Sequence, residues 1–113
     1  MTKRREKPET ALIRQCLDIL RLHRVAAWRM NTGAVSAEYK GRSRFIRFGP
    51  KGMSDILGIM WPSGRFLAIE TKAGNNKLTP EQDEFQRQVR EAGGYAWTIR
   101  DVAELQRRLE AER

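Results

Sequence analysis

Three stretches of the chain repeat apolar residues at intervals of three and four, the spacing that gathers side chains on one face of a helix. The first extends from Pro8 to about Leu22, the second from Thr79 to Ala92, and the third from Asp101 to Leu109. Gly93-Gly94 ends the second stretch, as glycine commonly does at a helix C-terminus. The pattern predicts three amphipathic helices, and the apolar positions of the first are Leu12, Ile13, Cys16, Leu17 and Leu20.

Four shorter runs are continuously apolar or alternate apolar with polar residues, which is typical of β-strands. The turn sequence Trp61-Pro62-Ser63-Gly64 separates the second run from the third, so these two runs should form an antiparallel hairpin. Residues 34–52 are less regular, although the alternation from Arg44 to Phe48 favours a half-buried strand there. The four predicted strands are Val25–Met30, Asp55–Met60, Arg65–Lys72 and Tyr95–Ile99.

The order of these elements, α-β-β-β-α-β-α, predicts an α/β fold in which a central mixed β-sheet is flanked by helices. A chain of 113 residues has the length of one domain and can form one modest core rather than two. We therefore expect a flexible basic arm over residues 1–7 and a single domain over residues 8–113.

The composition changes this picture mainly through charge. The net charge is +8, and residues 1–54 carry 13 basic and 4 acidic side chains, whereas residues 55–113 carry 9 and 10. The basic first half favours a polyanionic partner.

Because no apolar run approaches the ~18 residues of a membrane-spanning helix and no apolar stretch follows the charged N-terminus, we expect a cytoplasmic protein without a membrane partner. A single cysteine, Cys16, excludes an internal disulfide framework and a multi-cysteine zinc site.

A basic segment occupies the irregular part of the chain and contains no acidic residue. Its lysines and arginines are candidate phosphate contacts, which would supply affinity and register without reading the base sequence. The alternative is a solvated basic loop that serves solubility alone. The five candidates are Lys40, Arg42, Arg44, Arg47 and Lys51.

The residues best suited to catalysis lie on the predicted hairpin. Glu70 and Lys72 are two positions apart on one strand and therefore project from the same side, while Asp55 begins the partner strand. Two carboxylates with few other protein ligands suit Mg²⁺ or Mn²⁺, which keep several waters. Such a metal polarises a phosphoryl group and lowers the pKa of a bound water, and a lysine can offset transition-state charge. The trio therefore fits phosphodiester hydrolysis.

A purely structural interpretation of the same residues stays open. An aspartate at a strand start is often a turn residue, and Glu-x-Lys on a strand is often a solvated ion pair. The catalytic interpretation gains support because Glu70 follows the apolar run Phe66–Ile69, where an unpaired carboxylate would be costly.

Two glutamines of the second predicted helix also have alternative interpretations. Gln82 lies three residues after Thr79, the spacing of a capping box, and a role as helix cap is as plausible as a role at the site. Gln86 follows one turn later on the same helical face, and exposure to solvent on the helix surface is the favoured interpretation for it.

These residues together resemble the PD-(D/E)xK nuclease superfamily, and more closely its VRR-Nuc family of stand-alone phage and bacterial proteins and DNA-repair nuclease domains. The resemblance runs from about Glu9 to Ile99. Ser54 stands where the family often has proline, and the "VRR" signature is not literally present. The matching segments are Glu9, Gly52-Met53-Ser54-Asp55, Ala68-Ile69-Glu70-Thr71-Lys72 and Leu78-Thr79-Pro80-Glu81-Gln82.

The resemblance implies a restriction-endonuclease-like three-layer core and Mg²⁺- or Mn²⁺-dependent cleavage of DNA, with no small-molecule cofactor. Because family members without appended domains resemble junction resolvases, it further implies a homodimer acting on branched DNA such as four-way (Holliday) junctions in a bacterial or phage-infected cell. The implied roles are metal ligation by Asp55, Glu70 and the backbone carbonyl of Thr71, catalysis by Lys72, and further site contacts from Glu9 and Gln82.

Other functions stay open at this stage. The chain could be a catalytically silent nucleic-acid-binding module of the same fold, or a nuclease that prefers flaps or linear duplex, or one that acts on RNA. It could also be a basic structural or assembly protein without an active site.

Overall fold

The computed structural model describes residues 6–30, 34–39, 42–47 and 51–112. Three helices and six strands follow one another along these residues. The first five are α1 (Pro8–Leu22), β1 (Ala26–Arg29), β2 (Ala34–Tyr39), β3 (Arg42–Arg47) and β4 (Ile56–Ile59). The remaining four are β5 (Phe66–Thr71), α2 (Pro80–Glu91), β6 (Tyr95–Ile99) and α3 (Val102–Ala111).

Four of the strands form a mixed sheet in the order β1-β4-β5-β6. β4 pairs antiparallel with both β1 and β5, whereas β5 and β6 are parallel, because α2 connects them as a crossover. The prediction of an α/β fold with a mixed sheet flanked by helices is confirmed.

The predicted element order was incomplete, because β2 and β3 form a separate two-stranded antiparallel sheet within the stretch expected to be irregular. The strand favoured over Arg44 to Phe48 overlaps β3, whereas β2 was not predicted. The observed order is therefore α-β-β-β-β-β-α-β-α. The proposed flexible arm falls largely on residues 1–5, which lie outside the described residues.

The main core lies between one face of the four-stranded sheet and the helices α1 and α3. It includes the apolar stripe predicted for α1, of which Leu17 is partly buried and the other members are buried. Sheet residues such as Ile56, Leu67 and Ile69 complete it, all with no exposed surface. None of the helices in the described parts of the chain is long and apolar enough to cross a membrane.

On the opposite face of the sheet, α2 packs against β5 and β6. Val89 of α2 packs with Ala68 and Ala96 over β5 and β6, which leaves β1 and β4 less covered. Trp28 and Ile59 are 54% and 46% exposed on these strands. The helices thus divide the sheet into a fully covered face and a half-covered one.

Candidate active site

Strand pairing places Asp55 beside Glu70. Ile56 at the start of β4 lies opposite Ile69 of β5, so the next pair outward is Asp55 opposite Glu70. On the other side, the backbone N–H of Met30 donates to the carbonyl of Asp55 at 2.7 Å, which extends the ladder from β1. The sheet therefore brings both predicted metal ligands to the same level of two adjacent strands.

The Asp55 carboxylate is oriented by the residue that follows Glu70. Its Oδ2 accepts hydrogen bonds from the backbone N–H of Thr71 at 2.9 Å and from the Thr71 hydroxyl at 2.8 Å. Thr71 is 1% exposed, so water does not compete strongly for these bonds. The sequence interpretation used only the carbonyl of Thr71, and its side-chain contact with Asp55 was missed because Ser and Thr hydroxyls carry no distinctive pattern.

Glu70 is a buried carboxyl with one oxygen unpaired. It is 4% exposed, and its Oε1 accepts a hydrogen bond from Gln82 Nε2 at 3.1 Å. Its Oε2 is buried and has no hydrogen-bond partner within the described parts of the chain. An unsatisfied buried oxygen is costly, and such groups are concentrated where a ligand completes the structure.

The same surroundings raise the pKa of Glu70 to about 8. Burial contributes most, followed by the negative charge of Asp55. The positive charge of Lys72 acts in the opposite direction and lowers this pKa, while the charge of Glu9 raises it slightly. The four side chains that the sequence grouped around the reaction therefore interact electrostatically in the folded protein. Perturbed carboxyls of this kind are typical of functional sites.

Gln82 makes contacts that match both of its interpretations, at the helix cap and with Glu70. Its Oε1 accepts from the backbone N–H of Thr79 at 2.9 Å and its own N–H donates to the Thr79 hydroxyl at 3.1 Å, which completes the capping box of α2. Because the amide oxygen is engaged at the cap, the amide nitrogen faces Glu70 and can only donate to it. The helix cap thus determines the direction of the contact with the carboxyl.

Glu9 reaches the site from α1. Its Oε1 accepts a hydrogen bond from the backbone N–H of Ala73 at 3.2 Å, across 64 residues of sequence. This contact explains why a half-buried carboxylate lies on the inward face of α1. Lys72, one residue earlier in the chain, is also half-buried, and its backbone N–H donates to Ile99 O at 3.1 Å.

The donor set fits a divalent cation that keeps most of its waters. Within the described residues there is no group of three or more His, Cys, Asp and Glu side chains compact enough to hold a metal ion. Asp55 and Glu70 nevertheless form a pair of hard oxygen donors, and the Oε2 of Glu70 has no hydrogen-bond partner among the described residues. Mg²⁺ and Mn²⁺ are commonly held by one or two carboxylates plus water. The residues present therefore fit the metal that the sequence interpretation predicts.

The loop before Asp55 packs closely on the start of α2. Gly52 has φ +88, and a Cβ at this position would lie 2.3 Å from the carbonyl oxygen of Glu81. Ser54, where the family often has proline, is 1% exposed and its hydroxyl has no partner among the described residues. At position 52 only glycine permits the close packing on Glu81, because both the positive φ and the lack of space for a Cβ require it.

The candidate nucleic-acid contacts are only partly described. Lys51 is exposed and its Nζ lies 3.1 Å from a carboxylate oxygen of Glu81. Arg42, Arg44 and Arg47 belong to β3, and Lys40 lies outside the described residues. The structure thus assigns three of the five residues to a strand and pairs a fourth with a surface carboxylate.

Gln86 was predicted to be solvated, and this prediction was wrong. It is 1% exposed, because α2 lies across β6 and the amide donates from Nε2 to the Thr98 hydroxyl at 3.0 Å. A glutamine on an otherwise polar helix gives no sequence signal of burial, and Thr98 shows none either.

Comparison with known proteins agrees with this geometry. The family model of the VRR-NUC domain matches residues 7–102. A solved structure named "VRR_NUC domain" is similar in fold, with a TM-score of 0.65 and 19% sequence identity over 93% of this chain and 97% of that chain. No curated protein shows significant similarity. The chain therefore belongs to the VRR-NUC domain family, within the restriction-endonuclease-like nuclease superfamily.

Proposed function

We propose that the protein is a divalent-metal-dependent endonuclease that hydrolyses DNA phosphodiester bonds. The observation that carries this proposal is the buried Glu70 carboxyl, which has a free oxygen, lies beside Asp55 and is subject to the charge of Lys72. A buried carboxyl such as Glu70 beside the partly buried carboxylate of Asp55 is destabilising without a cation, because burial and like charge both oppose its ionisation. Its presence in the fold is therefore explained best by a cation bound during the reaction.

Each residue has a distinct role in this proposal. Asp55 and Glu70 hold Mg²⁺ or Mn²⁺ together with the backbone carbonyl of Thr71, and Gln82 orients Glu70. When bound, the metal polarises the phosphoryl group and makes a bound water more acidic. Lys72 positions the attacking water and offsets the negative charge that develops on the phosphate. Glu9 ties α1 to the end of β5 by its bond to Ala73 and adds negative charge near the metal.

The proposed substrate class is supported by the charge of the chain and by the resemblance of stand-alone family members to junction resolvases. The basic first half of the chain supports a DNA partner, with Lys40, Arg42, Arg44, Arg47 and Lys51 as phosphate contacts. In a homodimer, two identical sites would be related by a two-fold axis. This symmetry matches the near two-fold symmetry of branched DNA such as a four-way junction. We accordingly propose structure-selective cleavage of branched DNA in the cytoplasm of a bacterial or phage-infected cell.

The decisive experiment is a cleavage assay with Mg²⁺ or Mn²⁺ on a four-way junction, a flap and a linear duplex of matched sequence. We expect the junction to be cut preferentially. Lys72→Ala should lower the rate at least about 100-fold with little change in DNA binding, and Glu70→Ala should abolish cleavage. Glu84→Gln, which changes an exposed carboxylate of α2, should cut normally.

The other results distinguish the alternatives. Binding to DNA without cleavage by folded protein would indicate a silent binding module, and equal rates on all three substrates would contradict the proposed selectivity. Absence of both binding and cleavage, together with no stabilisation by metal, would favour a structural protein and reject the proposal.

A further inference from the structure

A second buried amide lies one helical turn beyond Gln82. Gln86 is 1% exposed and donates from Nε2 to the Thr98 hydroxyl of β6 at 3.0 Å. It contacts neither of the carboxyls that form the candidate metal site. Its burial therefore calls for an explanation other than direct participation in the reaction.

The orientation of this amide is fixed by Arg90. The Oε1 of Gln86 accepts from Arg90 Nη2 at 2.8 Å, and the same nitrogen lies 3.1 Å from the carbonyl oxygen of Ala96. With its oxygen engaged by a cation, Gln86 can only present its nitrogen to Thr98. Charge-assisted bonds of this kind are stronger than neutral ones, so the whole contact is well defined.

The two amide contacts are arranged as a pair. Thr98 lies in register with Glu70 on the parallel strands β5 and β6, so the two sheet partners are neighbours at the same level. Gln82 and Gln86 are four residues apart on α2, about 6 Å along its axis, and their side chains bond to Glu70 and Thr98 respectively. One helix face therefore bonds two adjacent strands, one through a carboxyl and one through a hydroxyl.

Apolar packing alone gives α2 little to hold its position. Among the side chains of α2, all of which the structure describes, only Gln86 and Val89 are buried. Val89 and the partly buried Phe85 supply the apolar packing of α2 on the sheet. Such contacts are non-directional and permit some sliding, whereas a directional hydrogen bond weakens steeply with misalignment. The Gln86 contact is thus a directional bond that opposes such movement of α2 over β6.

We propose that Gln86 is a positioning residue for the metal site. By holding α2 against Thr98, it keeps the Gln82 amide within hydrogen-bond distance of Glu70 and so directs the free Oε2 of Glu70 toward the metal. This inference rests on the proposed function, because it assumes that Glu70 binds the metal.

The test uses isosteric variants of the full chain and a matched control. Gln86→Met and Thr98→Val each remove one partner, the double variant removes both, and Gln88→Met changes an exposed glutamine of the same helix. For each we would measure the Kd of Mn²⁺ alone by calorimetry, kcat and KM, the urea midpoint, and the NMR signals of the Gln82 side-chain NH₂ group.

We expect the two single variants to bind Mn²⁺ about tenfold more weakly and to lose about tenfold in kcat, with KM within about twofold. The Gln82 NH₂ signals should shift in these variants and stay in place in Gln88→Met. In the double variant no buried polar group lacks its partner, so the urea midpoint should recover while metal affinity and kcat stay low.

Recovery of metal affinity and kcat together with stability in the double variant would overturn the proposal, since Gln86 would then serve packing alone. Unshifted Gln82 signals would overturn it as well. If the unaltered protein neither binds Mn²⁺ nor cleaves DNA, the proposed function fails, and the Gln82 signals in metal-free protein still decide whether Gln86 positions Gln82.

Discussion

The charge of Glu70 depends on its burial and on the charged side chains around it. Burial and the carboxylate of Asp55 favour its protonated form, whereas Lys72 favours the ionised form, and the balance leaves the pKa at about 8. The ordinary value is 4.5, so the folded protein retains a proton that the unfolded chain releases. This single residue therefore couples folding to pH in the absence of metal.

The sign of this coupling gives a prediction. The contribution of Glu70 to stability is fully present below about pH 4.5 and is lost as the pH rises to about 8, because ionisation is easier in the unfolded chain. We expect metal-free protein to lose on the order of a few kcal/mol of unfolding free energy across this window. Urea unfolding in EDTA at pH 5, 7 and 9 measures this loss.

Glu70→Gln provides the comparison, since an amide at this position stays neutral and can still accept from Gln82. It should flatten the pH dependence and exceed the stability of the unaltered protein at pH 9. Hydrogen bonding to Arg87 lowers the pKa of the exposed Glu84 to about 2, so Glu84→Gln should leave the slope between pH 5 and 9 unchanged. Equal slopes in all three proteins would contradict the assigned environment of Glu70.

At the scale of elements, the approach of the Gly52 loop to α2 is the tightest constraint near the site. A side chain at Gly52 would collide with backbone at 2.3 Å, and backbone of the helix start cannot move without disturbing Gln82. The loop leads directly to Asp55, so its displacement would also move a candidate metal ligand.

Gly52→Ala is therefore expected to lower stability by about 3 kcal/mol, from the left-handed backbone angle and the collision together, and to reduce cleavage. Gly64→Ala is the matched control. Gly64 also has a positive φ, +75, but nothing lies within 4 Å of its Cβ position, so this variant should lose only about 1 kcal/mol. Equal losses in urea unfolding would show that the collision does not matter.

Two arginines of β3, Arg44 and Arg47, provide a test of the proposed DNA contacts. Arg44→Ala/Arg47→Ala should weaken binding and reduce the dependence of log K on log salt by roughly one unit for each phosphate that is no longer neutralised. The control Arg21→Ala/Arg107→Ala removes two exposed arginines of α1 and α3. Fluorescence anisotropy over a range of salt concentrations measures both slopes, and equal slopes in the two variants would leave β3 without a special role.

The elements that the sequence predicted well are those with local signals. The capping box of Thr79 and Gln82 and the apolar stripe of α1 depend on neighbours within a few residues, and both appear as expected. The burial of Gln86 depends on Thr98, which is distant along the chain and becomes a neighbour only after the sheet and helix have assembled. The same reason explains why the hydroxyl of Thr71 was missed as a partner of Asp55, whereas the pairing of Asp55 with Glu70 followed from a simple hairpin.

At the scale of the molecule, the half-covered sheet face distinguishes this protein from a fully enclosed α/β core. Ile59 lies opposite Phe66 on adjacent strands, and Trp28 of β1 lies opposite Leu57, two positions along β4 on the same face. Ile59, Phe66 and Trp28 are 42–54% exposed, and contiguous exposed apolar surface is characteristic of interfaces. The shared face supports the proposed homodimer and suggests where the two copies meet.

Light scattering should therefore give twice the 13.1 kDa mass of one chain. Trp28→Ser should yield monomers, because it removes the largest side chain of this face. Trp61→Ser should remain dimeric, since Trp61 is equally exposed but lies at the turn after β4 with Arg24 stacked on its ring. A monomeric unaltered protein at every concentration would contradict the homodimer.

The Gln82 side chain bonds both to the Thr79 cap and to Glu70. It therefore links fraying of the α2 N-terminus to the order of the Glu70 carboxyl. When the first turn of α2 frays, the Thr79 cap opens and the Gln82 amide that the cap had oriented no longer contacts Glu70. Helix ends open and close continually in native proteins, so at any moment a fraction of molecules lacks an ordered carboxyl. The apparent affinity for a ligand falls with the competent fraction. Under the proposed function, opening of this one helical turn therefore weakens the apparent metal affinity in proportion to the fraction of molecules in which the cap is open.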